Sequence, residues 1–342
     1  MNENFKKNPN LKYRCDIVRA SDIIKKPYTN FNLFEAFKSY KDNKEYLASP
    51  NNKNFNLDIY ELYDNKKILS LKGHEEEIKI VNYFINSKDH NEYLVSVEEK
   101  QIIIIWDITN NYNLKYKINN KYNKIISCCI LIFPHNQINN YMVENTTGFD
   151  IYNARLYSLE DGKMIKKIKN PSNTNNPLFY IISWLNKKDD KYYLIRIGFF
   201  SIIITNLLNN KIYYEYKDQD EIIHNIGYVY ENDGIDYLYC LNVNGQIIII
   251  DLMSLSLIKK IYIQRINVDS LQEFENFTLW NNKYIIFNYK YHSSSYYIFD
   301  LKNDKIISKI MAPVLYIKKI YHSTYGESLL IGSSDIIQLW SV

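Results

Sequence analysis

A pattern of four short apolar runs, separated by polar turns, returns along this chain roughly every 40–45 residues. In the clearest copy the runs cover residues 78–85, 93–97, 102–108 and 114–118. The next copies cover 125–133, 141–144, 155–159 and 164–168, then 178–184, 192–197, 202–207 and 212–216. Two more follow, at 222–230, 237–243, 247–252 and 257–263, and at 271–279, 284–289, 296–301 and 306–310. Residues 31–71 form a first unit of the same grammar. The third run is usually the most apolar, as in QIIIIWD, SIIITN and QIIIIDL. Unbroken apolar text of that length indicates a strand covered on both faces. Runs this short and this regularly spaced predict strands, so the expected fold class is all-β.

The final unit has runs at 314–321, 328–332 and 336–340, and no fourth. Near the other end, LKYRCDIV at residues 11–18 alternates well enough to supply it. A ring closed by strands from both termini avoids a free sheet edge, which would invite aggregation. The expectation is a seven-bladed β-propeller of four-stranded antiparallel blades, closed by an N-terminal strand that completes the last blade, with six or eight blades left open. Residues 1–342 then make a single domain, with 1–10 a flexible tail.

Composition agrees. The 342 residues are 46% hydrophobic and 23% charged, enough for a sizeable core, and 33 are tyrosine. Tyrosine and β-branched residues suit a pleated, half-buried surface. Only 9 Gly and 7 Pro serve all the turns, and Asn clusters such as Asn209-Asn210 stand in for them, since Asn tolerates the left-handed conformation. With 42 basic and 38 acidic residues the charge is nearly balanced, which by itself points to neither nucleic acid nor a membrane surface. Cys15, Cys128, Cys129 and Cys240 lack metal-ligand spacing and read as buried reduced thiols. MNENFKKNPN has no apolar signal core, and the isoleucine runs at 102–105 and 247–250 fall far short of a membrane span. These features predict a soluble protein in a reducing compartment, cytoplasmic, with the nucleus left open.

Gly73-His74 and Trp106-Asp107 bracket the clearest copy, and with the repeat period they make the chain resemble a WD-repeat β-propeller. Fainter echoes are Ile250-Asp251, Phe299-Asp300, Thr205-Asn206 and Leu339-Trp340. Gly73, His74, Ser96, Trp106, Asp107 and Trp340 are therefore the expected repeat-motif residues. The resemblance implies a bracing network through His74, Ser96 and Trp106. The family's acidic position falls near Glu99 or Lys100, so that network is expected to be incomplete.

No catalytic constellation stands out. The six histidines are scattered, and no glycine-rich phosphate loop or Gly-x-Ser-x-Gly elbow occurs. The chain is read as a non-enzyme without cofactor, metal or small-molecule substrate. It also has no adjacent arginines, unlike the phosphoinositide-binding propellers. The basic stretches KKIYIQR and YIKKIYH are candidates for nucleic acid, but lysine on a solvated edge strand is the commoner explanation.

What remains is binding. In a propeller blade the loop before the first strand and the turn between the second and third emerge at one rim. Glu75, Glu76, Glu77, Glu98 and Glu99 should meet there, with Phe199, Phe200 and Tyr291 on turns of other blades. Aromatics beside charges are what interaction hot spots use. The leading reading is an interaction scaffold that binds other proteins or peptides through a rim, alone or as a subunit of a larger complex. The alternative is a subunit of an RNA-processing or ribosome-assembly particle that contacts RNA through its basic outer strands.

Overall fold

The computed structural model describes residues 12–19, 34–51, 53–64, 66–86, 90–98, 102–119, 126–132, 141–146, 154–158, 161–168, 178–198, 201–217, 226–241, 246–263, 274–280, 283–289, 295–311, 316–322, 324–332 and 336–341. Among them there is no helix; the regular elements are 28 β-strands. In chain order these open with β1 (Lys12–Arg19), then β2 (Glu35–Lys38), β3 (Glu45–Asn51), β4 (Asn56–Glu61) and β5 (Lys66–Leu71). Next come β6 (Ile78–Ile85), β7 (Glu92–Glu98), β8 (Ile102–Asp107) and β9 (Asn113–Asn119). They are followed by β10 (Ile126–Ile132), β11 (Tyr141–Thr146), β12 (Ala154–Ser158) and β13 (Met164–Ile168). β14 (Leu178–Asn186), β15 (Lys191–Gly198), β16 (Ser201–Asn206) and β17 (Ile212–Lys217) continue the series. After them lie β18 (Ile226–Asn232), β19 (Ile235–Leu241), β20 (Gln246–Asp251) and β21 (Ser256–Tyr262). The last are β22 (Phe274–Trp280), β23 (Tyr284–Tyr289), β24 (Ser295–Asp300), β25 (Lys305–Met311), β26 (Tyr316–His322), β27 (Gly326–Gly332) and β28 (Ile336–Ser341).

Six sheets are antiparallel meanders of four consecutive strands: β2–β5, β6–β9, β10–β13, β14–β17, β18–β21 and β22–β25. One further sheet has the order β1-β28-β27-β26, so the strand at 12–19 does become the fourth strand beside the last three. β1 pairs antiparallel with β28 from Lys12 opposite Ser341 to Arg19 opposite Ile336. The architecture is all-β and of the β-propeller type. Contacts divide it into two compact units, Phe31–Lys217 and Met1–Asn30 with Asp218–Val342.

Within each unit neighbouring sheets stack face to face, which explains the unbroken isoleucine runs. In β8, Ile104 and Trp106 enter a core shared with Ala48, Leu57 and Ile59 of the preceding sheet. Ile103 and Ile105, on the other face, enter a core with Tyr157 of the following sheet. Side chains alternate across a strand, so a strand packed on both sides needs apolar residues at every position. β23 repeats this in the other unit: Ile285 and Phe287 face one core and Ile286 the next. Each fully buried Ile contributes about 1.5–3 kcal/mol by leaving water.

The fourth strand of each consecutive sheet carries a further shared feature. Its register slips by one residue at the same step, opposite Ile59/Tyr60, Ile105/Trp106, Leu156/Tyr157, Ile204/Thr205, Ile249/Ile250 and Ile298/Phe299. The supernumerary residues are Ile68, Lys115, Ile165, Tyr213, Ile258 and Ile307, and all but Lys115 are exposed large hydrophobics. A bulge leaves one residue outside the ladder and twists an edge away from new pairing. Several tight turns put Asn in the left-handed region, at Asn43, Asn111 and Asn210.

Candidate functional site

The sheet β6–β9 holds the residues that most resemble a site. Gly73 comes first because its backbone passes over Trp106. A Cβ there would lie 3.2 Å from Trp106 Cη2 and 3.2 Å from Ile104 Cδ1, tighter than ordinary packing. The close approach sets His74 against β7. Trp106 Nε1–H donates to Ser96 Oγ at 2.8 Å, and Ser96 Oγ lies 2.6 Å from His74 Nε2. His74 Nδ1 lies 2.9 Å from Glu98 Oε2, which also accepts the backbone N–H of Glu75 at 3.0 Å.

Proton positions follow from what each group can do. A carboxylate only accepts, so His74 Nδ1 carries the hydrogen; Nε2 of the neutral ring then accepts the Ser96 hydroxyl proton. The chain runs in one direction, Trp106 to Ser96 to His74 to Glu98. The His74 and Glu98 side chains are both 0% exposed. Burial holds His74 below the ordinary imidazole value, against the pull of Glu98 in the other direction. The network is thus completed by Glu98, the last residue of β7, not by a residue at 99 or 100. The sequence expectation of an incomplete network is corrected: a longer acid one step earlier reaches the histidine.

The same bond removes Glu98 from the expected rim. Glu98 stands opposite Ile78 in the register, beside the loop that carries Glu75, Glu76 and Glu77, so it meets that loop at one sheet end. Glu98 is turned inward, however, and Glu75 and Glu77 have partners of their own. Lys117 Nζ lies 3.2 Å from Glu75 Oε1, and Lys79 Nζ 2.6 Å from Glu77 Oε2. Glu75 is 75% exposed, and Glu76 is half-buried with a partner of its own. Glu99, Phe199, Phe200 and Tyr291 lie outside the described residues.

Asp107 and its echoes share another task. Asp107 accepts from the backbone and side-chain amides of Asn110 at 3.0 and 2.8 Å, capping the turn into β9. Asp251 caps the equivalent turn through Met253 and Ser254, Asp300 through Lys302 and Asn303, and Asn206 through Leu208 and Asn209. Trp340 differs from Trp106: its Nε1–H donates to Gln338 Oε1 at 3.3 Å within its own strand.

Glu92 and Arg196 are among the buried charged groups that the sequence reading did not place. Glu92 at the start of β7 accepts from Ser39 Oγ at 2.8 Å, from Tyr83 Oη at 2.9 Å and from the backbone N–H of Tyr40. It fastens the β2–β3 turn of the preceding sheet onto its own. Burial, reinforced by Glu92, pushes the Tyr83 phenol well above its usual value. Arg196 in β15 donates to Thr205 Oγ1 and Asn210 Oδ1 at 3.2 and 2.8 Å, and burial lowers its guanidinium to about 10. The signal for both was a charge set in strand text, as in YYLIRIG. Partners about fifty residues away, as for Glu92, leave no local mark in sequence.

Among the described residues no cluster of three or more His, Cys, Asp or Glu is arranged to hold a metal ion, and no helix is long and apolar enough to cross a membrane. The Cys240 thiol is buried, and the desolvation raises it out of the reactive range. A scan against protein-family models and a search of curated proteins find no match to this chain.

Proposed function

We propose that this chain is a non-enzymatic WD-repeat propeller that serves as a protein–protein interaction scaffold, with its four-stranded sheets as blades and the cytoplasm as its compartment. The observation that carries this reading is the state of the His74, Ser96 and Glu98 cluster. These are the groups that could otherwise do acid–base chemistry, yet His74 and Glu98 are sealed from water and every described contact they make is spent on bracing one sheet. Spending this histidine and this acid on rigidity supports a role for the fold as surface. The membership reading rests on the Gly73-His74, Ser96 and Trp106 arrangement, in which the His74 and Trp106 side chains meet on the Ser96 hydroxyl.

Affinity capture tests the reading when the wild type is compared with the Glu75→Lys, Glu76→Lys, Glu77→Lys variant. A scaffold that uses this sheet end loses a discrete set of protein partners. A protein that instead retains only RNA, lost on nuclease treatment, fits the alternative of an RNA-particle subunit.

A further inference from the structure

The sheet β14–β17 sets three oxidisable rings in succession from its core to its outer strand. Trp184 on β14 stands opposite Tyr193 on β15, and both are 3% exposed. Their ring centroids are 5.4 Å apart. Tyr213 on β17 lies 4.5 Å from Tyr193 and 6.4 Å from Trp184, and it is 38% exposed. Tyr213 is the residue that the bulge leaves outside the ladder, and its ring lies across the sheet on Tyr193. The Tyr193 hydroxyl donates to Asp189 Oδ2 at 2.7 Å, and Lys191 lies 3.5 Å from the same oxygen. A carboxylate at that distance is placed to take the phenol proton. Burial, then the bond to Asp189, pushes the Tyr193 phenol well above its ordinary value, so the proton stays on oxygen until an electron leaves.

Other sheets lack a part of this series. In β2–β5 and β6–β9 the ring opposite the tyrosine is Phe37 or Phe84, which mild one-electron oxidants leave alone. The bulge residue that reaches Tyr93 is Lys115, whose ammonium lies 4.1 Å from the ring centroid and opposes loss of an electron there. Trp280 and Tyr284 pair at 6.0 Å in β22–β25, but the bulge residue of that sheet is Ile307.

We propose that Trp184, Tyr193 and Tyr213 conduct an oxidising equivalent from the inside of this sheet to its surface, with Tyr213 as the residue finally modified. The co-reactant is a one-electron oxidant, a small radical. It takes an electron from the Trp184 indole, and Tyr193 replaces that electron as its proton moves to Asp189 Oδ2. Tyr213 then supplies an electron to Tyr193, which recovers its proton from Asp189, and the Tyr213 proton passes to water. One electron has gone to the oxidant and one proton to solvent, and the radical rests on Tyr213. Two such radicals from separate molecules couple ring carbon to ring carbon, and the ring hydrogens shift to oxygen to restore the phenols. The proposal is independent of the scaffold reading, since it concerns a modification site and not a binding surface.

The test exposes the folded full chain to azide radicals at neutral pH and locates oxidised and cross-linked tyrosines by peptide mass spectrometry. Exposure alone would favour Tyr40, Tyr63 and Tyr321, at 76%, 75% and 75%. The expected result is that Tyr213 leads all three. Tyr193→Phe keeps the ring and removes the hydroxyl, and Asp189→Asn removes the proton acceptor. Each should lower the yield at Tyr213 several-fold and leave the other three yields unchanged, with circular dichroism confirming the fold. Wild-type yields that follow exposure would overturn the proposal whether or not the variants fold, and so would a Tyr213 yield indifferent to both substitutions.

Discussion

Glu98 Oε2 lies 2.9 Å from His74 Nδ1 with both side chains shut away from solvent, and this pair ends the relay that begins at the Trp106 indole. Removing the acid leaves a buried N–H donor without its acceptor and also strands the Glu75 amide. Glu98→Ala should lower unfolding free energy by about 1.5–3 kcal/mol, the usual scale for bonds to a charged group. Glu98→Gln should lose less, because the amide oxygen can still accept. Denaturant titration of the two variants separates them.

The same pair sets a pH dependence. Folding holds His74 below its ordinary value, so the unfolded chain takes up a proton that the folded network refuses. Stability should be level above about pH 6.5 and decline as pH falls through that value. His74→Gln should flatten the profile between about pH 5 and 7, since the group that titrates there is gone. Melting temperature against pH for both proteins measures it.

Trp106→Ala should cost about 3–5 kcal/mol, as for other large aromatic deletions in a core. Trp106 is 2% exposed and packs in the core with Leu57 and Ile59. Trp106→Phe keeps much of that contact and loses the bond to Ser96, so it should fall between wild type and Ala. Equal stability of Phe and wild-type proteins would show that the indole bond contributes nothing.

Deleting residues 1–19 removes β1 and bares the β28 edge along its whole paired length from Ile336 to Ser341. The expected outcome is aggregation or a melting temperature lowered by many degrees. Static light scattering with a thermal scan checks it, and a truncated chain that melts with the full one would remove β1 from any structural role.

Much of this was legible. Residues 78–85, 164–168 and 284–289 were read to the residue as strands, and in 284–289 the packing on both faces writes itself as continuous apolar text. The completing strand was visible from the missing fourth run of the last unit. The site was read less well. His74, Ser96 and Trp106 were found by motif, yet Glu98 was assigned to the surface because a glutamate beside a turn looks the same whether it faces water or a histidine. Glu92 went unnoticed for a related reason: what makes it buried is Ser39 and Tyr40, fifty-odd positions away.

The pairing of β1 with β28 also has a consequence in time. During synthesis the strand at Lys12–Arg19 leaves the ribosome long before the strand it completes, at Ile336–Ser341. At about 5–20 residues per second, it waits roughly a quarter of a minute to a minute without its neighbour. Until then the nascent chain carries β1 uncommitted and the sheet of β26 and β27 unfinished. Residues Ile336–Ser341 therefore act as a latch, and a ribosome that stalls short of them releases a chain whose β1 has nowhere to go.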